Sequence, residues 1–580
     1  MKQIKSCLFK KPFLLVIFLI TFNLGICWKC GADQIKKRIK AAPLKLPEDN
    51  NRRRLDSRYT PIRIYADYSN LRETSSIDSN TLSRIRRLID QTCTEFSKFL
   101  KIAHYGIDLS GQENTIKEQC AIDSIGSNYQ NYLRYYDVVI FPSFDSELGN
   151  GVLAAAGLCI YSYSNYRPYM GVLLINPELS FVKTNTELYM KNLLLHELTH
   201  VLVFDPELFN VLGMSTVKIF DGSFVTFVNS PRVLTKARQH FNCTTLNGMP
   251  LENQGSEGSA GAHWEARYML GDYMISSDYI ENVLSDITLA LFEDSGFYKV
   301  EYYSGGLFKF GKNAGCSFFN QKCIENGQSS FSNEFCTNFN GDFCSRSRGV
   351  KGKCLVFHHQ NTIPSRYRYF DNKKDGGFAA ANYCPVSILE EDPNDYYPTN
   401  CNSGTSTLSS DYGEVIGNSS FCFISSLLPS SSSLSSTSQA ICYNVECDKD
   451  NKQLIVNIGS SSIICPQEGG TVSDPAGFKG SINCPEYTDI CGYDSDDDVI
   501  CNEMFDCLTS KVETDVRTFS YFPTEEDFSE PIYIINSARN LNINFIMIFL
   551  ILFRLILIPV LIPKPNSALS SKSELAQAGP

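Results

Sequence analysis

One short stretch decides the fold of this chain: Leu194-Leu195-His196-Glu197-Leu198-Thr199-His200-Val201-Leu202. Its leucine and valine residues recur at helical spacing and form one apolar stripe, which predicts a helix from Leu188 to Phe204. We expect this helix to stop at Asp205-Pro206, because a proline disfavours helical geometry in the residue before it. Histidines four residues apart on such a helix project from the same face, one turn apart.

The spacing of His196 and His200 suits a metal ion. Two neutral imidazole nitrogens one helical turn apart reach a single Zn²⁺ at bonding distance. Glu197 stands beside them and offers a carboxylate that accepts a proton from a water polarised by the metal. The chain has only seven histidines, so this pattern is rarely expected by chance. The stretch therefore predicts a zinc site, with Glu197 as the catalytic general base of a peptide hydrolase.

A catalytic zinc needs a third protein ligand and an open fourth position. The other histidines of the chain are His104, His240, His263, His358 and His359. Of these, His263 is the best candidate, because it begins a predicted helical stretch directly behind the glycine-rich segment Gly258-Ser-Ala-Gly-Ala. Spacing alone does not choose His263 over Glu257 or Glu265, so a thermolysin-like site with a glutamate ligand remains an alternative.

Size, charge and cysteine content limit the classes of protein to which this chain can belong. With 580 residues, the chain is long enough for two to four domains. Its net charge of -11 gives no basic field to attract a phosphate backbone, so we expect no nucleic-acid partner. Most of its 22 cysteines lie between Cys316 and Cys507, which indicates disulfide bonds formed in the secretory pathway.

Both ends of the chain carry apolar segments. Lysines followed by the apolar run Phe13–Ile26 predict a signal peptide over residues 1–27. Two glycosylation sequons, at Asn242 and Asn418, agree with a secretory route. Residues 545–562 are apolar except for one arginine and predict a membrane span, hence membrane attachment. The predicted location is the cell surface or the extracellular space.

Composition also suggests the domain organisation. We expect, in order, a short pro-segment or linker at 28–57, a catalytic region at 58–300, a Cys-rich C-terminal domain at 301–460 and a small disulfide-rich module at 461–510. The Arg52–Arg54 run is a candidate processing site. The serine-rich stretch Ser430–Ser438 is typical of a linker or an O-glycosylated stalk.

The residue patterns outside the motif predict an α+β fold with a mixed sheet. Residues Pro61–Ala66 alternate like a half-buried strand, and an amphipathic helix follows from Leu82 to Leu100. Val138–Phe141 and Val172–Ile175 are further predicted strands. We expect an extended substrate to bind along Val172–Ile175 as an edge strand. Another helix-rich stretch is predicted from Ala262 to Leu291.

Several sequence blocks occur together in a fixed order. They are Leu195-His-Glu-Leu-Thr-His, Asn229-Ser-Pro-Arg-Val, Pro250-Leu-Glu-Asn-Gln-Gly, Ala260-Gly-Ala-His-Trp-Glu, Tyr273-Met and Leu289-Ala-Leu-Phe-Glu-Asp-Ser-Gly-Phe-Tyr-Lys-Val. This series resembles the leishmanolysin-type surface proteases, which belong to the metzincin class of zinc metalloproteases. The resemblance covers roughly Tyr59 to Cys384. Blocks in the right order make it far more specific than the histidine motif alone.

The resemblance implies a metzincin-like fold and a zinc-dependent endopeptidase acting on proteins or peptides, with one Zn²⁺ per chain. It implies His263 as the third metal ligand, delivered by a lower subdomain. It also implies Met274 as the methionine of the turn beneath the metal. Cys30, in Trp28-Lys-Cys-Gly-Ala, resembles the pro-segment cysteine that caps the zinc and keeps the enzyme latent. The family usually has a histidine two residues after this cysteine, whereas this chain has Ala32.

One departure from the family pattern concerns the end of the active-site helix. Metzincins have a glycine three residues after the second histidine, and here that position is Val203. Glycine accepts a positive φ at little cost, whereas a β-branched residue there is strained. We therefore expect a shifted helix end and a strained turn at Val203. A catalytically impaired leishmanolysin-like cell-surface adhesion protein is the alternative function.

Overall fold

The computed structural model describes residues 32–44, 54–148, 152–177, 187–220, 223–253, 260–277, 282–302, 308–339, 341–388, 400–402, 406 and 408–491. All of them fall within one compact unit, Met1–Val516. The predicted signal peptide, Cys30 and the predicted membrane span at 545–562 lie outside the described residues and stay predictions. Within the described ranges, no helix has the length and apolar character needed to cross a bilayer.

The described chain contains both helices and strands, and its C-terminal half consists mainly of strands. The helices are α1 Ala32–Arg38, α2 Ser79–Phe99, α3 Glu113–Gln119, α4 Tyr132–Tyr135, α5 Glu187–Leu202, α6 Pro206–Val211, α7 Pro231–Phe241, α8 Ala266–Met269, α9 Asp286–Asp294, α10 Ser317–Asn320 and α11 Tyr487–Ile490. The strands of the N-terminal half are β1 Ala42–Leu44, β2 Arg54–Pro61, β3 Ile64–Ala66, β4 Leu100–Tyr105, β5 Val138–Phe144, β6 Ala154–Ser162, β7 Pro168–Ile175, β8 Ser215–Phe220, β9 Ser223–Val228, β10 Met249–Pro250 and β11 Tyr298–Val300. Those of the C-terminal half are β12 Asp342–Cys344, β13 Lys351–Cys354, β14 Phe357–His358, β15 Asp375–Gly376, β16 Ser387–Ile388, β17 Ser420–Ser425, β18 Leu428–Pro429, β19 Gln439–Asp448, β20 Gln453–Ile458, β21 Ser461–Cys465, β22 Gly470–Ser473, β23 Phe478–Lys479 and β24 Ser481–Cys484. The predicted combination of helices with a mixed sheet is confirmed.

The sheet beside α5 has the strand order β1-β6-β7-β5-β3. β3, β5 and β7 run parallel to one another, whereas β6 runs antiparallel to β7. Every residue of β7 is buried, and the strand lies between β5 and β6. The prediction of an edge strand at Val172–Ile175 is therefore wrong. Its unbroken apolar run is the pattern of a strand covered on both faces.

Two of the predicted helices form close to their expected bounds, as α5 and α2. The stretch Ala262–Leu291 is different, because it contains the two short helices α8 and α9 with turns between them. Asp272 fixes one of these turns, since its side chain accepts a hydrogen bond of 2.8 Å from the backbone N–H of Met274. The apolar residues of this stretch predicted a continuous helix. The hydrogen bond from the backbone to the Asp272 side chain favours a turn instead.

The apolar stripe of α5 packs onto β6, β7 and α2. Leu194, Leu195 and Leu198 are fully buried there. Burial of each such side chain stabilises the fold by about 1.5–3 kcal/mol. The helix lies very close to the sheet at Gly171, where a Cβ atom would stand 2.3 Å from Cγ1 of Val201. Glycine at this position of β7 lets the helix that carries the histidine pair rest directly on the strand.

Residues 32–44, within the predicted pro-segment, fold onto the free side of β6. β1 adds to β6 as a parallel strand, with Ala42 opposite Ile160. α1 lies over the same strand, and its region buries Ile35 and Ile39. The described part of this segment is therefore packed against the predicted catalytic region.

The C-terminal half contains a six-stranded antiparallel sheet in the order β21-β20-β19-β17-β24-β22. Because β20 and β21 pair across residue 460, the described part of the predicted module at 461–510 shares its sheet with the preceding strands. The stretch Ser430–Ser438 is a loop of this domain, held where the hydroxyl of Ser436 donates to the carbonyl of Ser426 at 2.6 Å. The stretch lies between two strands of this domain, β18 and β19, and its O-glycosylation stays a prediction. The core of the catalytic region also continues past residue 300.

Disulfide bonds tie these layers together, which confirms their prediction from the cysteine content. The pairs are Cys120–Cys159, Cys243–Cys316, Cys323–Cys384, Cys336–Cys354, Cys344–Cys422, Cys401–Cys442, Cys447–Cys491 and Cys465–Cys484. Among the described cysteines, Cys93 is free and buried. Most of these bonds lie in the half of the chain where secondary structure is short, so they replace part of the stabilisation that a larger core would supply.

Candidate metal centre

Helix α5 presents its two histidines on one face, as their spacing predicts. The Nε2 atoms of His196 and His200 lie 3.2 Å apart, and both side chains are buried. Two nitrogens bound to one tetrahedral zinc at 2.0–2.1 Å stand about 3.3 Å apart. The observed separation therefore fits a shared metal ion.

His263 reaches the same point from a distant part of the chain. A bridge between Leu251 and Trp264 aligns two segments, and the backbone N–H of Glu252 donates to the carbonyl of His263 at 2.8 Å. The ring of His263 is centred 5.3 Å from that of His196 and 5.1 Å from that of His200. One ligand atom from each of the three buried imidazoles lies within 4.8 Å of the others.

Each imidazole is oriented by a hydrogen bond at its Nδ1 atom. His196 donates to the carbonyl of Tyr273 at 2.6 Å, and His200 donates to the carbonyl of Phe204 at 2.8 Å. Nδ1 of His263 lies 3.0 Å from a carboxylate oxygen of Glu252. With the proton held on Nδ1, the lone pair of each ring is on Nε2, which is the atom that faces the common centre.

The electrostatics of the site also suit a metal. Burial lowers the pKa of His200 to about 3 and lowers the pKa of His196 well below its ordinary value, so both are neutral donors at pH 7. Nε2 of His263 is buried without a hydrogen-bond partner among the described residues. A buried polar atom without a partner is costly, and a bound metal would remove that cost. The three histidines thus fit a zinc ion in number, tautomer and spacing.

Among the described residues, no other candidate ligand joins this group. Glu265 is buried two residues further on, but its carboxylate caps α8 by accepting the backbone N–H of Arg267 at 3.2 Å. Glu257 lies outside the described residues. The ring nitrogens of His104 contact Asp137 and the carbonyl of Arg134, and His104 is not part of the convergent group.

Glu197 and Met274 belong to segments that carry or contact the cluster. Glu197 follows His196 on α5 and is fully buried. Met274 is buried in the turn after α8, where its carbonyl accepts the backbone N–H of Trp264 at 3.0 Å. The preceding residue, Tyr273, supplies the carbonyl that orients His196. The turn is therefore attached to two histidine-bearing segments at once.

The end of α5 differs from the expectation of strain. Val203 is not among the described non-glycine residues with a positive φ. Instead, the carbonyl of Thr199 accepts both the Val203 and Phe204 N–H groups at 2.9 Å, and the hydroxyl of Tyr298 donates to the carbonyl of Leu202 at 3.1 Å. The chain turns without a left-handed residue, and the turn places the carbonyl of Phe204 against His200.

A cavity of about 330 Å³ opens beside His200. Residues of β6, of α6 and of the segment 32–44 line it. The ammonium of Lys36 lies 3.5 Å from the carboxylate of Asp205 at the start of α6. The N-terminal segment therefore forms one wall of the cavity that reaches His200.

Sequence reasoning missed the residues that orient the histidines. The sequence did contain a signal for Glu252, because this residue lies inside the family-like block Pro250-Leu-Glu-Asn-Gln-Gly. The carbonyls of Tyr273 and Phe204 had none, since any residue supplies a carbonyl. Of the predicted sequons, Asn242 and Asn418 are both exposed.

Comparison with known proteins identifies the family. The family model for leishmanolysin, Peptidase_M8, matches residues 127–497. Leishmanolysin of Leishmania tropica is 29% identical over 369 residues, covering 61% of this chain and 54% of that protein. A leishmanolysin homolog of Crithidia fasciculata is 29% identical over 369 residues, covering 59% of this chain and 53% of that protein. A leishmanolysin-like peptidase of Drosophila melanogaster is 34% identical over 180 residues, covering 28% of this chain and 26% of that protein.

The chain spans about half the length of the first two relatives. The family model nevertheless covers well over half of this chain and includes the histidine cluster, Glu197 and Met274. This match confirms the resemblance drawn from the sequence blocks. The chain is a member of the leishmanolysin family.

Proposed function

We propose that this protein is a zinc-dependent endopeptidase that hydrolyses internal peptide bonds of proteins or peptides. The observation that supports this most directly is the convergence of three buried imidazoles with their Nδ1 atoms engaged as donors. Nε2 atoms of His196, His200 and His263 would hold one zinc ion per chain. When bound, zinc supplies a Lewis acid that polarises the scissile carbonyl and acidifies water.

Glu197 is the proposed general base. It takes a proton from the attacking water and then delivers that proton to the leaving amine nitrogen. Its burial beside His196 excludes bulk water from the carboxylate, which strengthens this proton transfer. Met274 would shape the floor of the site through the turn that also orients His196.

The substrate is proposed to lie along β6 once the N-terminal segment leaves. β1 occupies that edge in the structure, and an extended peptide would replace its backbone hydrogen bonds. The protein would therefore be latent while residues 32–44 remain in place. Cys30 is proposed to reinforce latency as a thiolate ligand of the zinc, and cleavage after Arg52–Arg54 would release the segment.

The proposed location is the secretory pathway and then the cell surface or extracellular space. Eight disulfides in the described residues support an oxidising compartment. Glycosylation at Asn242 and Asn418 is proposed on the same ground, since both side chains are exposed. Membrane attachment through residues 545–562 also remains a proposal.

The decisive experiment compares Glu197→Ala with Glu187→Ala. Both glutamates lie on α5, but Glu187 is ion-paired with Arg87 near the start of the helix, away from the cluster. We expect Glu197→Ala to lose casein cleavage by about 10²–10⁴-fold while keeping one zinc per chain. Glu187→Ala should keep both the casein cleavage of the wild type and one zinc per chain. All three proteins are first activated by cleavage after Arg52–Arg54, which removes the N-terminal segment. Activated wild-type protein that binds zinc but cleaves no more than Glu197→Ala would instead identify an impaired adhesion protein.

A further inference from the structure

The hairpin formed by β8 and β9 exposes an apolar face. Val217, Ile219 and Phe224 show 60%, 71% and 78% of their surfaces to solvent. Ile219 stands directly opposite Phe224 in the strand register, so these two side chains share one face of the hairpin. Val217 is two residues before Ile219 and therefore lies on the same face. Contiguous apolar surface of this kind usually marks an interaction site.

The same hairpin ends its sheet. The strand order is β10-β9-β8, and within the described ranges no further strand pairs with β8. An edge strand leaves a row of backbone N–H and C=O groups without strand partners. β8 therefore combines unpaired backbone groups with exposed β-branched side chains at alternate positions, which is the pattern that binds an extended polypeptide.

The hairpin is structurally continuous with the metal centre. At one end, β10 leads through Leu251 into Glu252, which contacts His263. At the other end, β8 follows α6, whose Val211 lines the cavity beside His200. Neighbouring strands lie about 4.8 Å apart, so β8 is about 10 Å from β10. At about 3.3 Å per residue, an extended chain covers this distance in about three residues, and the two residues from β10 to Glu252 add about 7 Å, so a chain of five to eight residues is long enough to reach the metal centre.

We propose that the edge of β8, with Val217, Ile219 and Phe224, is a substrate-binding exosite. Its occupant is an extended segment of the polypeptide substrate with apolar side chains at alternate positions. This segment lies five to eight residues from the bond to be cut. The inference rests on the proposed peptidase function and adds a substrate class to it, namely unfolded or extended chains longer than the cleft itself.

A polypeptide fits this edge better than a lipid surface does. A bilayer has no water or polar partner for the unpaired backbone groups of β8, and burying them there would be costly. An extended peptide satisfies them through new strand hydrogen bonds. The alternating exposure of Val217 and Ile219 also matches the two-residue period of an added strand.

The kinetic test uses protein activated by cleavage after Arg52–Arg54. Its substrates are one cleavable core peptide and two longer versions, each extended by ten residues with valine or isoleucine at alternate positions. One version is extended at its N-terminus and the other at its C-terminus. The variant is Val217→Ser with Ile219→Ser. Its matched control is Ile464→Ser, which removes an isoleucine that is 55% exposed on β21, at the edge of the C-terminal sheet.

We expect one extended peptide to show a KM at least fivefold below that of the core peptide. In Val217→Ser with Ile219→Ser, this KM should rise to the core value, with kcat and core-peptide cleavage unchanged. Ile464→Ser should behave like the wild type. Equal KM values for all three peptides in the wild type, or an advantage that survives in the double variant, would overturn the exosite.

Binding without turnover separates this inference from the proposed function. Fluorescence anisotropy of the labelled extended peptides on full-length Glu197→Ala protein should show binding that the double serine variant weakens at least fivefold. That result supports the exosite even where the core peptide is not cut. The exosite is overturned if the hairpin substitutions do not change peptide binding. If they instead reduce binding to phosphatidylcholine vesicles, the occupant is a membrane; if they reduce self-association, the occupant is a second copy of this chain.

Discussion

A carboxylate oxygen of Glu252 lies 3.0 Å from Nδ1 of His263, and both side chains are buried. The other carboxylate oxygen of Glu252 accepts the hydroxyl of Ser276 at 2.7 Å, so the carboxylate is itself held in place. A carboxylate behind a metal-binding imidazole fixes its tautomer and makes its free nitrogen a stronger donor. Glu252 is thus the positioning residue of the distant ligand.

The first prediction concerns this pair. Glu252→Ala should weaken zinc affinity about 10–100-fold, because His263 loses the partner that keeps its proton on Nδ1. Glu252→Gln retains an oxygen acceptor and should lie between the wild type and Glu252→Ala. Competition with a chromogenic chelator measures the affinity. Unchanged affinity in both variants would contradict the positioning role.

The second prediction separates the candidate third ligands. His263→Ala should lose most of its zinc during dialysis against chelator, since two histidines alone make a weak site. Glu265→Ala should keep its zinc, because the carboxylate of Glu265 caps α8 and is not part of the convergent group. Metal analysis of both purified variants decides the matter. Full zinc in His263→Ala with loss in Glu265→Ala would favour the glutamate-ligand alternative.

The third prediction concerns Val203, which is buried and outside the left-handed region. Val203→Gly should lower the free energy of unfolding by about 2–4 kcal/mol, because it removes a buried side chain and adds backbone freedom to the unfolded chain. Urea denaturation measures the change. Val211→Gly, at an exposed position of α6, is the control and should cost less than half as much. Equal or greater stability of Val203→Gly would mean that the turn is strained after all.

Val203 also shows what the sequence predicts and what it does not. The helix and its histidine pair follow from local spacing, so they could be predicted almost to the residue. The conformation after the helix depends on Tyr298, whose hydroxyl reaches Leu202 from a distant segment, and no local pattern contains that contact. The family pattern led us to expect that this turn requires glycine at position 203. The tertiary contacts hold the turn without a positive φ, so glycine is not required.

The same distinction explains the other outcomes. Its position made His263 the best candidate, but only the family resemblance chose it over the two glutamates, because the segments that bring it to the cluster pair non-locally. The edge assignment at Val172–Ile175 failed because strand composition reports burial, whereas strand order depends on the whole sheet. The packing of Ile35 and Ile39 on β6 was hidden in a segment whose charge resembles that of a solvated linker.

The fourth prediction is a pH dependence of stability through His240. Burial lowers the pKa of His240 to about 4, and its Nε2 donates to the carbonyl of Phe310 at 2.9 Å. The unfolded chain, with an ordinary pKa near 6.5, takes up a proton more readily, so stability is full above pH 6.5 and falls as the pH approaches 4. Through this residue, the free energy of unfolding should fall by up to about 2 kcal/mol as the pH is lowered from 7 to 5.

His240→Phe isolates this contribution. The new ring keeps a partner for Phe308, whose ring is centred 4.8 Å from that of His240, but it does not titrate. Unfolding free energies of metal-free wild type and variant at pH 7, 6 and 5 should diverge as the pH falls, with the wild type losing more. Parallel curves would show that His240 does not contribute.

The last prediction is that apolar contacts of the N-terminal segment enforce latency. A Cβ atom on Gly157 of β6 would lie 3.0 Å from a methyl group of Ile35 and 3.4 Å from one of Ile39, so both isoleucines rest tightly on the strand proposed to bind substrate. Ile35→Asp with Ile39→Asp loses about 1.5–3 kcal/mol of burial at each position. Full-length protein should then cleave a short peptide at least tenfold faster than the wild type, whereas Lys40→Gln should not. Comparison with Cys30→Ser apportions latency between packing and the thiol. If the double aspartate variant stays as inactive as the wild type while Cys30→Ser is active, the thiol alone blocks the site, and packing of the segment does not contribute to latency.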